Sequence, residues 1–322
     1  MQRLEVWLPR GDEEVLVELP SEARVDLLEP RRLEVAGLSE SLDPMGEELV
    51  LVDASHLRPE SIGDLVEHLR PARAVVTTWL AHGTRPDPSA LSHLRSRGVT
   101  TLYDDRVIED LRASDRITYL SPPLALPQPL ASPEARVRVL LSSVGVNVEG
   151  KAVRSAIYAL SSRGRFSGFL REGTEQFTEL RGEYDLVLLS PGGHPFDRTF
   201  LQVLLCLQPY GGLCRDRGVM GVVAECGEGL GSRRLLEAAV SGPRDPQSLE
   251  SIALDSLESV KSRVRVVASI PLAGTHVERV FGLRQATRLQ EAVTVASRFV
   301  GKDIRVAVIR SASLTATAGG AE

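Results

Sequence analysis

Residues 185–198, DLVLLSPGGHPFDR, indicate the fold of the second half of the chain. The apolar run Asp185–Ser190 predicts a buried strand, and the following stretch 197–207 predicts a helix. Between them, Gly192 and Gly193 permit backbone conformations with positive φ and a close approach of other groups. In open α/β sheets such a turn lies at the carboxyl end of a strand, where ligands bind. The segment therefore predicts both a parallel sheet and a site at its edge.

The same alternation of apolar strands and amphipathic helices continues on both sides of this segment. Downstream, Val219–Ala224 and Ile304–Ile309 predict further buried strands. Upstream, Leu49–Asp53 predicts a buried strand, and apolar residues at helical spacing predict a helix over Pro59–Leu69. Strand–helix–strand alternation is typical of parallel sheets with right-handed crossover connections. We therefore expect an α/β fold throughout the chain.

The chain is predicted to contain two α/β domains, with mainly parallel sheets and an interdomain cleft. Its 322 residues correspond to about two domains of ordinary size. The polar, glycine-containing segment 164–182 separates a domain over 1–172 from a domain over 183–322. The first domain contains a surface loop or an extended crossover at 121–133, because five prolines exclude a helix or a central strand there.

The composition argues against several classes of protein. With 38 basic and 43 acidic residues the net charge is -5, which argues against a general nucleic-acid binder. No apolar run approaches the roughly 18 residues that a membrane span needs. The three cysteines form no close CxxC pair, which indicates reduced thiols and predicts a cytoplasmic location. Chemistry that needs a side-chain amine has three candidates, because the only lysines are Lys151, Lys261 and Lys302.

Two loops of the first domain carry candidate functional side chains at predicted strand ends. Ser55 and Arg58 follow the strand Leu49–Asp53, and an arginine is suited to bind a carboxylate through two parallel hydrogen bonds. His82 follows the next predicted strand, Ala74–Leu80, and is a candidate general acid or base near neutral pH. A single loop histidine more often has a surface or capping role, but two adjacent strand ends of this kind favour a shared site.

The second domain carries its candidates in the turn after Asp185–Ser190. Asp197 is suited to cap the following helix, whose first amide groups favour an anion. Gln202 falls one or two turns further along, on a side that could face the same edge of the sheet. A tight turn with a capping aspartate explains this pattern equally well, so the structural and the ligand-binding interpretations both stay open.

Four segments resemble those of the nickel-pincer-nucleotide-dependent lactate racemases and their α-hydroxyacid racemase relatives. GGHPFDRTFLQ at 192–202 is similar to the Gly-Gly-Tyr-Pro-Leu-Asp…Tyr-Gln segment that opens the family's C-terminal domain, and VVAECGEGLG at 222–231 resembles the next strand and glycine loop. In the first domain, SHLRP at 55–59 is similar to the family's Asp-His-Thr-Arg-Pro loop, and WLAHGTRP at 79–86 to a segment with a catalytic histidine.

The resemblance implies an enzyme that racemises or epimerises a small α-hydroxy acid by hydride abstraction and return in the interdomain cleft. On this mapping His82 is the catalytic acid or base, and Lys151 is the covalent anchor of the nickel-pincer nucleotide cofactor. The residues implied for substrate are Ser55, Arg58, Gln202 and His194. The residues implied for the cofactor beside Lys151 are Gly192, Gly193 and Asp197. The expected ligand is a small α-hydroxy acid or another carboxylate, with no nucleic acid and no membrane, and a homo-oligomer is left open.

The sequence departs from this family around Lys151. We predict a strand at Val137–Ser142 and a helix at Lys151–Ser161, and the connection between them, SVGVNVEGK, lacks the family's second catalytic histidine. No histidine follows over 152–181 to act as the nickel ligand, so no metal ligand is assigned. The alternative is therefore a non-catalytic protein that binds a small carboxylate or a nucleotide, or a partner subunit. A metal-free enzyme built on His82, Arg58 and His194 is the third hypothesis.

Overall fold

A computed structural model describes residues 4–33, 35, 49–69, 73–78, 100–102, 105–170, 182–242 and 245–318. The strands are β1 (Leu4–Arg10), β2 (Glu13–Leu19), β3 (Arg24–Leu28), β4 (Arg31–Leu33), β5 (Leu49–Asp53), β6 (Arg73–Thr77), β7 (Thr100–Thr101), β8 (Arg116–Ser121), β9 (Ala152–Leu160), β10 (Phe166–Phe169), β11 (Tyr184–Leu189), β12 (Cys214–Val223), β13 (Arg265–Ser269), β14 (Arg284–Gln285), β15 (Arg305–Ile309) and β16 (Ala316–Ala318). The α-helices are α1 (Pro59–His68), α2 (Asp105–Ala113), α3 (Pro133–Ser143), α4 (Phe200–Leu205), α5 (Gln208–Gly211), α6 (Arg233–Ser241), α7 (Leu249–Lys261) and α8 (Gln290–Val300).

The chain divides into two compact units. The first unit contains Met1–Pro30, Ala125–Pro127 and Thr178–Leu314. The second unit contains Arg31–Leu124, Gln128–Phe177 and Thr315–Glu322. The boundary between the large segments of the two units, at Phe177 and Thr178, falls within the polar segment 164–182.

The first unit is built on a six-stranded sheet in the order β14-β13-β12-β11-β15-β3, in which every strand pair is parallel. β11 is buried along its whole length, as expected for a central parallel strand with both faces covered. The hairpin β1–β2 lies against this sheet, because Leu8, Val17 and Leu19 belong to the same apolar core as Leu186 and Val306.

The division of the chain differs from the predicted domains in three segments, because 1–30 and 125–127 belong with the second half and 315–322 belongs with the first. Residues 1–30 were expected in the N-terminal domain, but β3 pairs with β15, and the hairpin packs into the core of the C-terminal half. The side chain of Gln290 adds a further tie, because it accepts a hydrogen bond from the amide of Glu18 (2.9 Å) and donates one to its carbonyl oxygen (2.8 Å). Strand pairing between distant segments cannot be derived from local periodicity.

The second unit is built on a six-stranded sheet in the order β10-β9-β8-β5-β6-β7. Its strand pairs are parallel except for β9 and β10, which form an antiparallel hairpin. The carboxyl ends of β5, β6 and β8 therefore lie along one edge of the sheet. This edge carries the loop with Ser55 and Arg58, the residues Thr77 and Thr78, and the proline-rich segment after β8.

The structure reverses two predicted elements of this unit. Val137–Ser142 was expected as a strand but lies within helix α3, which begins at Pro133 and is capped by the Ser132 hydroxyl (3.2 Å to the amide of Ala135). The segment Lys151–Ser161 was expected as a helix but forms β9, paired in parallel with β8. Short apolar runs do not distinguish helix from strand, whereas serine followed by proline is a helix-start signal that the prediction missed.

The predicted fold class is confirmed, because both units are of the α/β type with mainly parallel sheets. Among the described residues, no helix combines the length and the apolar character that a membrane crossing requires. Within the same residues, no group of three or more histidine, cysteine, aspartate or glutamate side chains has the arrangement of a metal site.

Candidate functional site

In the first unit, Asp197 ties together three segments at the carboxyl edge of the sheet. Its carboxylate Oδ2 accepts hydrogen bonds from the amides of Gly11 (2.8 Å) and Glu225 (3.0 Å), and its carbonyl oxygen accepts one from Cys226 (2.8 Å). The residue is fully buried, and burial raises the pKa of its carboxyl group. Among the residues that the structure describes, Oδ1 has no hydrogen-bond partner. Asp197 thus joins the hairpin turn, the loop after β11 and the loop after β12.

The two adjacent glycines of this loop are required by packing within the unit. Gly193 has φ +71°, and a Cβ atom there would lie 2.6 Å from the carbonyl oxygen of Gly11. At Gly192 a Cβ atom would lie 3.1 Å from the ring of Phe196. The amide of His194 donates to the same Gly11 oxygen at 2.7 Å. The space beside Gly193 is therefore filled by the hairpin turn, and the predicted cofactor contacts of both glycines stay predictions.

Thr199, rather than Asp197, caps the helix that follows. The Thr199 hydroxyl accepts a hydrogen bond from the amide of Gln202 (3.3 Å), and the Gln202 Oε1 accepts one from the amide of Thr199 (3.1 Å). This reciprocal capping box starts α4 at Phe200. Asp197 does not serve as the cap, because its carboxylate binds amides of other segments. Gln202 is buried and has a local structural role, so its contact with substrate stays a prediction.

In the second unit, Ser55 and Arg58 lie in one loop after β5, at the carboxyl edge of the sheet. Ser55 is fully buried, and its amide donates to the Oδ1 of Asp53 at 3.0 Å. Arg58 is half-buried; its Nε donates to the carbonyl oxygen of Arg163 (2.8 Å), and its amide donates to that of Gly164 (3.0 Å). The turn between β9 and β10 thus supports the loop from one side. His82, the predicted acid or base, lies outside the described residues.

A buried polar network adjoins this loop and was not predicted from the sequence. Asp53 accepts a hydrogen bond from the Tyr119 hydroxyl on its Oδ2 (3.3 Å), and Tyr158 donates to its main-chain oxygen. All three residues are fully buried. Burial raises the pKa of Asp53, and it raises that of Tyr158 well above its ordinary value. The available signal was the charged residue that ends the otherwise apolar strand LVLVD.

Arg136 is the second buried charge at this edge. Its guanidinium donates to the Ser121 hydroxyl (3.3 Å) and to three main-chain oxygens, those of Pro122 (3.4 Å), Leu130 (2.9 Å) and Ala131 (3.2 Å). Burial lowers its pKa, and the charges of Asp53 and Arg136 favour each other's ionised form. Arg136 therefore holds the proline-rich segment 121–133 in its conformation.

Lys151, the predicted covalent anchor, lies at the opposite edge of this sheet. It directly precedes β9, and its Nζ donates to the carbonyl oxygens of Arg112 (2.9 Å) and Ser114 at the end of α2. Strand register places Asp53 level with Ile157, so about 20 Å of strand separates the level of Lys151 from that of Asp53. The structure therefore does not bring Lys151 to the edge that carries Ser55 and Arg58. The cause is the exchanged helix and strand around 133–160.

The other two lysines also lie at the amino edge of a sheet, which is the edge where its parallel strands begin. Lys261 ends α7, the helix that leads to the start of β13, and its Nζ binds Glu258 (3.0 Å) and the carbonyl oxygen of Phe281 (2.9 Å). Lys302 lies in the short connection before β15. Because the chain has three lysines, all of them within the described residues, no lysine stands at the carboxyl edge of either large sheet.

The fold has a counterpart among solved structures. No family model and no curated protein sequence matches the chain. The chain is similar to the lactate racemase apoprotein from Thermoanaerobacterium thermosaccharolyticum, with a TM-score of 0.60 and 14% identity over 98% of this chain and 100% of that chain. The chain shares the fold of lactate racemase. At 14% identity this likeness concerns the fold alone, because one fold supports many functions.

Proposed function

We propose that the chain is a lactate racemase-like protein that binds a small α-hydroxy acid or another small carboxylate at the loop of Ser55 and Arg58. The observation that carries the proposal is the position of this loop at the carboxyl edge of the parallel sheet in the second unit. Arg58 supplies a permanent positive charge, and its planar guanidinium matches a carboxylate. The likeness of the whole fold to lactate racemase supports the same ligand class.

His82 in this proposal forms a hydrogen bond with the hydroxyl group of the ligand. The role comes from the resemblance of residues 79–86 to the racemase segment with a catalytic histidine. Near neutral pH an imidazole is able both to accept and to donate a proton. The parts of Gln202 and His194 as further ligand contacts are proposed on the same resemblance.

The nickel-pincer nucleotide does not fit the lysines of this chain. In the family that the sequence resembles, the cofactor is attached through a lysine, whereas Lys151, Lys261 and Lys302 all lie at amino edges of the sheets. This observation favours the alternative from the sequence, a non-catalytic protein that binds a small carboxylate or a nucleotide, or a partner subunit. Of these, the loop of Ser55 and Arg58 favours the carboxylate binder.

Binding of lactate tests the proposed ligand class. Calorimetric titration of the full chain with D-lactate and L-lactate is expected to give saturable binding, which Arg58→Ala weakens about tenfold or more through the loss of a charged hydrogen bond. Arg163→Ala is the matched control, because Arg163 is exposed and contacts Arg58 through its main-chain oxygen, which the substitution retains. Absence of binding, or equal affinity in Arg58→Ala, contradicts the proposal.

Intact-protein mass spectrometry tests the absence of the tethered cofactor. The chain is produced together with enzymes that synthesise the pincer nucleotide, and a lactate racemase treated identically serves as the positive control. We expect the unmodified mass for this chain and an adduct for the control. An adduct that disappears in Lys151→Arg would restore the racemase interpretation.

A further inference from the structure

Asp53 directly precedes the loop that we propose to bind a carboxylate. Its side chain is fully buried at the carboxyl end of β5, and its Oδ1 accepts the hydrogen bond from the amide of Ser55 (3.0 Å). A side-chain oxygen bonded to the amide two residues later forms an Asx-turn, which fixes the direction in which the chain leaves the strand. The conformation of the loop from Ser55 to Arg58 therefore starts from this contact.

Two tyrosines from neighbouring strands hold Asp53 by different atoms. Tyr119 of β8 donates to the carboxylate Oδ2 at 3.3 Å, whereas Tyr158 of β9 donates to the main-chain oxygen. Both tyrosines are fully buried. The side chain and the main chain of one residue thus each have their own hydroxyl donor, which allows the two contacts to be tested separately.

We propose that Asp53 is a positioning residue, whose buried carboxylate holds the turn of Ser55 and Arg58 in the conformation that a ligand carboxylate meets. This inference rests on the proposed function, because it concerns the same loop. It adds a residue that acts through Ser55 rather than by touching the ligand. An ionised carboxylate accepts stronger hydrogen bonds than a neutral group, so the turn is held best while Asp53 is charged.

The surroundings of Asp53 determine the pH at which its carboxylate takes up a proton. Burial raises its pKa, while hydrogen bonds from Ser55, the charge of Arg136 and the hydroxyl of Tyr119 act in the opposite direction. The titratable and charged side chains around it are Tyr119 on β8, Tyr158 on β9 and Arg136 on α3. Glu134 in turn acts on Arg136. His56 lies three residues further along the chain. A substitution at Asp53 itself separates its contribution from those of these neighbours.

The pH dependence of lactate affinity tests the proposal. Wild type and Asp53→Asn are titrated with lactate across a pH series, and the ratio of their affinities is followed. Above the pKa of Asp53 we expect wild type to bind about fivefold more tightly, because it alone offers a charged acceptor to Ser55. This advantage is expected to disappear on acidification as Asp53 becomes protonated. Protonation of lactate itself affects both proteins and cancels in the ratio.

Two tyrosine variants sharpen the test and remain informative if Asp53→Asn fails to fold. Tyr119→Phe removes a hydroxyl that favours ionised Asp53, so the midpoint of the affinity change moves to higher pH. Tyr158→Phe is the matched control, because it removes an equally buried hydroxyl that contacts the main chain, and the midpoint is expected to stay. An affinity that rises on acidification relative to Asp53→Asn would indicate charge repulsion by Asp53 and overturn the positioning role.

Hydrogen exchange of the Ser55 amide separates this inference from the proposed function, because it needs no ligand. At equal pH we expect faster exchange in Asp53→Asn than in wild type. If wild type binds no lactate but the exchange difference is present, the proposed function fails while Asp53 still holds the turn. Equal Ser55 exchange in both proteins overturns the role of Asp53, whether or not lactate binds.

Discussion

Asp53 and Asp197 are both buried at carboxyl edges of parallel sheets, yet their partners differ in kind. The Asp197 carboxylate binds main-chain amides of Gly11 and Glu225, which come from two distant segments. The Asp53 carboxylate binds the amide of Ser55 and a hydroxyl of the adjacent strand, with a buried arginine near it. The first arrangement joins loops of the fold to each other. The second leaves a charged network directly beside the loop that we propose to bind a carboxylate.

The largest expected effect concerns the charged network of the second unit. Arg136→Met is expected to lower the free energy of unfolding by about 3–5 kcal/mol, because it leaves a buried charge without compensation and three main-chain oxygens without their donor. Urea unfolding measures the change. Arg138→Met on the same helix is the control, since Arg138 is exposed and its loss is expected to cost less than about 0.5 kcal/mol. Equal stability of the two variants would contradict the role given to Arg136.

The next effect concerns the packed glycines of the first unit. Gly193→Ala places a Cβ atom 2.6 Å from a main-chain oxygen, on a residue that already has φ +71°. Gly229→Ala is the matched control, with φ +75° and no atom within 4 Å of the added Cβ. We expect about 1–2 kcal/mol of destabilisation for the control and about 1–3 kcal/mol more for Gly193→Ala. Equal losses, measured by urea unfolding, would indicate that the hairpin turn moves away without cost.

The fold class followed from local sequence because parallel strands carry a strong apolar signal. The predicted strand Asp185–Ser190 is observed as Tyr184–Leu189, and the predicted strand Leu49–Asp53 has the observed bounds. The exchange of helix and strand around 133–160 shows where periodicity fails, because both elements are short and partly apolar. The placement of the N-terminal hairpin failed for a different reason, since Gln290, which binds Glu18 of the hairpin, lies 272 residues away in the sequence.

The site could be predicted in part, because a loop at a strand end is a local feature. The loop position of Ser55 and Arg58 was predicted in this way, and the structure places both residues in one loop, while their ligand contacts stay predictions. Arg136 could not be found, because one buried arginine among many exposed ones has no local signature. Lys151 was predicted to be the cofactor anchor, but it lies at the edge where the parallel strands begin, because it directly precedes β9. Local sequence does not show at which edge of a sheet a strand begins. Which side chains meet is decided by topology.

The smallest expected effect concerns the pH dependence of the free energy of unfolding. It tests whether burial disfavours the charged form of Asp197. Burial raises its pKa in the folded protein above the ordinary value of aspartate, so the folded state retains the proton to higher pH than the unfolded state. The contribution of Asp197 to stability is therefore largest below the unfolded pKa, and it is lost as the pH rises through the folded pKa. Asp197→Asn does not titrate, and its free energy of unfolding is expected to lack this decline. Parallel urea titrations at a series of pH values measure the difference between the two slopes. The opposite result is that wild type gains stability relative to Asp197→Asn as the pH rises through this range. It would mean that the two amide hydrogen bonds outweigh burial, so that the folded protein favours the charged form of Asp197.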